Sequence, residues 1–148
     1  MSAAQDLVGT YRLVSMEHYT EDGTVGRPFG DAPSGFITYT AEGYMMALLS
    51  RSDRQPFADG DIMGGSPQEQ IAAFLTASAF AGRYEIREQK IWHHLEAATF
   101  PNWVGTVQVR DYELAQTSLT LFPPPLLMDG QMRTSRVAFT RLAHWANS

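Results

Sequence analysis

The two ends of the chain carry the halves of a closure. Gly9-Thr10-Tyr11-Arg12-Leu13-Val14-Ser15 opens the first strand-like run, and Val137-Ala138-Phe139-Thr140-Arg141-Leu142 closes the last. A guanidinium stacks on an aromatic face and donates hydrogen bonds to nearby carbonyls. Tyr11, one spacer beyond Gly9, offers the ring, and Arg141 offers the cation. Read together, they staple the last strand to the first, which makes a closed antiparallel barrel. Taken alone, the same residues also suit an ordinary edge strand and a surface arginine.

What lies between fits closure. Residues 8–19 alternate with period two: Tyr11, Leu13, Ser15 and Glu17 share one face, and Arg12, Val14, Met16 and His18 the other. After Glu21-Asp22-Gly23, a Gly/Pro-rich loop runs to Gly35. Strands at 35–40 and 44–49 flank the hairpin connection Ala41-Glu42-Gly43. Segment 51–65 is polar and turn-rich. Ser66-Pro67-Gln68-Glu69 then starts a helix with a capping box, expected to end before Gly82 and to gather Ile71, Phe74, Leu75 and Ser78 on one side. Strands at 83–88, 91–98, 104–113, 118–122 and 131–142 follow as a meander, with Pro123-Pro124-Pro125 as a rigid loop. The expected fold is an all-β, eight-stranded antiparallel barrel with one helix after the third strand, forming a single domain over residues 1–148.

Composition narrows function. A net charge of -5 and a pI near 5.2 argue against nucleic acid, which calls for a basic patch. Of the eleven basic residues ten are Arg, and Lys90, beside a turn, is a poor Schiff-base candidate. With no Cys, disulfides, thiol nucleophiles and cysteine-ligated zinc are excluded. No secretory signal or membrane span is visible, so a cytoplasmic location is expected. P-loop, Gly-x-Ser-x-Gly and dinucleotide-binding patterns are absent, and no cofactor is announced.

Tyr39 with Gly43, Phe80-Ala81-Gly82-Arg83-Tyr84, His93, Pro101-Asn102-Trp103-Val104-Gly105 and Val109-Arg110 occur here in an order that resembles the lipocalin-like domain proteins of bacteria and fungi. The likeness spans nearly the whole chain. It implies a calycin-type barrel that binds a small, largely apolar molecule. In some relatives it implies cofactor-free cyclisation or isomerisation of secondary metabolites.

His93 is the first catalytic candidate. It shares a face with Ile91 and Leu95, where an imidazole can move a proton near neutral pH or sit as a core histidine bonded to backbone or tyrosine. Glu17 is the second, either a carboxylate raised in pKa inside the barrel or a solvated rim group. Tyr39, Tyr44 and Tyr84 offer phenols to a ligand or pack as wall, and Trp103 caps a ligand or plugs one end. Arg133, on the staple's face of the last strand, suits a ligand carboxylate or carbonyl. His93-His94 point to opposite faces, so no metal site is expected. The expected partner is a small apolar ligand in the barrel, or the substrate of a cofactor-independent cyclase, isomerase or lyase. A homodimer is compatible with the sequence.

Overall fold

The structure, a computed structural model, describes residues 2–144. Among them are ten strands: β1 (Gly9–Tyr19), β2 (Val25–Gly26), β3 (Ser34–Tyr39), β4 (Tyr44–Ser50), β5 (Ala77–Arg87), β6 (Lys90–Ala98), β7 (Val107–Leu114), β8 (Ser118–Phe122), β9 (Leu126–Met128) and β10 (Gln131–Arg141). Eight of them follow one another around a barrel, and β10 returns to β1 with Tyr11 opposite Arg141. β2 and β9 are short additions paired to β1 and β10.

The staple forms. The Arg141 guanidinium lies 4.9 Å from the centre of the Tyr11 ring. Its Nη1 donates to Val8 O at 3.0 Å and its Nη2 to Asp6 O at 2.8 Å. Those carbonyls follow from helix α1 (Ala3–Leu7), whose Leu7 is fully buried and accepts the Tyr11 hydroxyl at 2.7 Å. Gly9 is needed because a Cβ there would stand 3.1 Å from the Arg141 guanidinium, on a backbone with φ of +151°. Helix, first strand and last strand thus lock together at one end.

The two ends of the barrel differ. At the α1 end, β3–β4, β5–β6 and β7–β8 are joined by tight connections over 40–43, 88–89 and 115–117. At the opposite end the connections are long: 20–33, 51–76, 99–106 and 123–130. Long loops over the end of a rigid barrel are where a ligand enters and is recognised.

Three expectations need correction. The helix, α2 (Pro67–Leu75), carries the expected capping box but stops at Thr76. Residues 77–81 instead extend β5, because Ala77 to Ala81 pair with Ser50 to Met46 of β4. Ladder hydrogen bonds override the helix propensity of those alanines. Nor does α2 bury its apolar side, since Ile71, Phe74 and Leu75 are all more than half exposed. Third, the alternation of β1 breaks. Leu13 pairs with Phe139 and Ser15 with Ala138, leaving Val14 as an unpaired bulge that reverses the pleat beyond it. Tyr11 and Leu13 face inward, but thereafter it is Met16 and His18.

Candidate functional site

Within the barrel the apolar shell is interrupted most deeply around His93. His93, on β6 between buried Ile91 and Leu95, is fully buried, and its Nε2 lies 2.8 Å from the Tyr39 hydroxyl on β3. Burial holds the imidazole pKa well below its ordinary 6.5, helped by the positive charge of Arg110 and then by His94. Burial likewise pushes the Tyr39 phenol up, partly offset by Arg110. Both groups are therefore neutral at pH 7. Whichever partner donates, His93 Nδ1 is buried without a protein partner. It is a donor if the phenol donates to Nε2, and an acceptor if Nε2 carries the proton.

Arg110 completes the group. It projects inward from β7 and is only 4% exposed, and its Nη2 donates to Gln108 Oε1 at 2.7 Å while Nε has no partner. Burial lowers its pKa to about 10, with the Tyr39 phenol acting in the other direction, and that leaves it charged at neutral pH.

Aromatic rings line up through this centre. Tyr39 packs edge-on against Tyr84 (4.9 Å between centres) and Tyr11 (6.4 Å), and His93 lies 6.3 Å from Phe80. Phe80 meets Trp103 at 5.6 Å. The Trp103 ring, on a 3-10 turn (Pro101–Trp103) between β6 and β7, is half-buried and carries the line to the long-loop end. Tyr84 donates its hydroxyl to Thr40 O at 2.7 Å, so it serves as wall rather than as a free phenol.

Two expected site residues are not brought in. Tyr44 faces outward, 53% exposed, because Tyr39 pairs with Met45 and it is Met45 that points inward. The bulge at Val14 moves Glu17 off the inner face, where its Oε2 pairs with Arg27 at 3.2 Å. Arg133 does lie on the inward side of β10, at the long-loop end. Its Nη1 is 3.2 Å from Nε2 of His18, a buried residue that strict alternation placed outside. A guanidinium only donates, so His18 Nε2 accepts and Nδ1 carries the proton. Burial, then Arg133, lowers the His18 pKa. Gly26 makes room for this ring, since a Cβ there would fall 2.3 Å from it.

Arg110, Gln108 and His18 are the site residues that sequence reasoning does not find. The parity of 108 and 110 was visible, but nothing in the sequence says which β7 face is inner. Among the described residues, no three His, Asp or Glu side chains gather to hold a metal ion.

The sequence model of the lipocalin-like domain matches residues 8–143. The chain belongs to the lipocalin-like domain family. Within the reach of that family it is similar to the 4'-hydroxy-3'-methoxypropiophenone carrier protein ppsC of Aspergillus oryzae (strain ATCC 42149 / RIB 40), 23% identical over 107 residues that span 66% of this chain and 96% of that one. Among solved structures, a lipocalin-like protein from Bacteroides uniformis ATCC 8492 aligns with a TM-score of 0.49 at 18% identity, covering 93% of this chain and 99% of that one. An uncharacterized protein from Bacteroides eggerthii DSM 20697 aligns with a TM-score of 0.48 at 17% identity, covering 92% and 99%. A lipocalin-like barrel supports ligand binding in general, and no described helix is long and apolar enough to cross a membrane.

Proposed function

We propose that this lipocalin-like domain binds a small, largely apolar organic molecule inside its barrel, with the Tyr39–His93 pair and Arg110 reading a polar group on it. The observation that carries this reading is the pair of buried, unpartnered nitrogens, His93 Nδ1 and Arg110 Nε, within a largely apolar and aromatic core. Buried polar groups are nearly always hydrogen-bonded, so ring and guanidinium nitrogens left open inside a barrel suit a polar group on a ligand. The carrier name of the Aspergillus oryzae relative supports binding over chemistry. Entry is from the long-loop end past Trp103, with Arg133 nearer the opening.

The same geometry favours one second reading, a cofactor-free isomerisation, cyclisation or lyase reaction of a carbonyl substrate. A neutral imidazole beside a cation is a base next to a group that stabilises a developing oxyanion. His93→Phe separates the two, because it keeps the ring and removes the proton-transfer group. A carrier is expected to bind the neutral fluorophore phenylnaphthylamine with affinity changed by less than about tenfold, whereas an enzyme loses about 100-fold or more in turnover. Failure of the wild-type protein to bind that fluorophore, together with no co-purified apolar molecule in native mass spectrometry, counts against both readings.

A further inference from the structure

We infer that the ligand is an organic acid, bound as its anion, whose single negatively charged oxygen group pairs with Arg110 beneath an apolar body. This rests on the barrel being the binding site, as proposed above.

Among the described residues Arg110 is the one buried side chain with a formal charge, because the two buried histidines are held neutral. None of the ion pairs formed by the described residues includes it. An ion removed from water and left unpaired is costly, and proteins normally pair it or neutralise it. Arg110 does neither, since its one side-chain acceptor is the uncharged amide of Gln108 and its pKa of about 10 keeps it ionised. The groups facing it are the Tyr39 phenol and the His93 imidazole, both neutral. An anion brought into this setting meets a cation that is largely buried, has no charged partner and is held in direction by Gln108. A neutral ligand of equal shape gains no such pairing. The second inward arginine at the staple end, Arg141, is occupied by the carbonyls of Val8 and Asp6.

The molecule as a whole works against anions, with a net charge of -5. A preference for an anionic probe therefore has to arise locally.

Two fluorophores with one skeleton make the test: anilinonaphthalene sulfonate, an anion, and phenylnaphthylamine, its neutral parent. Titration of the wild-type chain is expected to show the anion bound at least about tenfold more tightly, as for a desolvated charge pair. In Arg110→Met that preference disappears while the neutral probe binds within about threefold of wild type. Arg110→Gln serves the same purpose should the methionine variant not fold. Met46→Glu, on the outer surface, is expected to leave the preference intact. Equal binding of both probes to wild type overturns the inference and leaves the binding reading standing. A preference that survives in Arg110→Met, or one that is lost in Arg133→Gln or Met46→Glu instead, also overturns it. Binding of neither probe overturns the inference, and with no co-purified apolar molecule in native mass spectrometry it overturns the binding reading as well.

Discussion

A neutral histidine kept in an apolar barrel ties stability to pH. In the folded chain the His93 pKa is depressed below the ordinary value of 6.5, so at mildly acidic pH the unfolded chain binds more protons. Stability is therefore fully present above about pH 6.5 and falls as pH drops toward the folded value, by up to about 1.4 kcal/mol per pH unit for this one group. Urea midpoints measured from pH 7.5 to 5 are expected to decline, and less steeply in His93→Phe. A flat wild-type profile would contradict neutral burial. The position of His93 was legible, because Ile91, His93 and Leu95 alternate cleanly with Trp92, His94 and Glu96 and the structure buries the first set. Arg110 was not legible as a site residue. An arginine on an alternating strand reads as the solvent side, and only the ring of neighbours shows it inside.

Elements were readable where local chemistry fixes them and failed where one strand dictates to another. The capping box at Ser66 and Glu69 and the hairpin at 40–43 are local signals, and both appear. The bulge at Val14 has no such signal. It arises from fitting β1 to β10, and by shifting the pleat one residue it exchanges Glu17 for His18. A second bulge lies on β6, where Glu96 is left unpaired because Ala81 faces Ala97 and Gly82 faces Leu95. Gly82 is required there, since a Cβ would lie 1.9 Å from the His94 carbonyl oxygen. Gly82→Ala is expected to cost about 3 kcal/mol, because backbone on both sides must move. Gly60→Ala, with nothing within 4 Å, should leave the unfolding midpoint within about 0.5 kcal/mol of wild type. Similar midpoints for the two variants would show that the ladder at Gly82 yields easily.

Over the whole molecule the decisive feature is closure, legible from Gly9, Tyr11 and Arg141 alone because the staple needs just those groups. Removing the guanidinium deprives the carbonyls of Asp6 and Val8 of donors and bares one face of the Tyr11 ring. Arg141→Ala is expected to lower stability by about 1–3 kcal/mol in chemical denaturation, and an unchanged midpoint would mean the ring closes without its pin. The alignment of the inner rings around His93 was less legible, since it depends on eight registers at once. Closure also has a temporal side. β10 lies between β8 and β1, so the strand that seals the ring is the last of the ten to leave the ribosome. Until it emerges, β1 and β8 lack the strand that joins them, and Leu119, Leu121 and Leu13 lack Val137 and Phe139 across from them. Such edges recruit other chains. A stop codon anywhere before β10 thus yields a sticky half-wrapped ribbon rather than a smaller barrel.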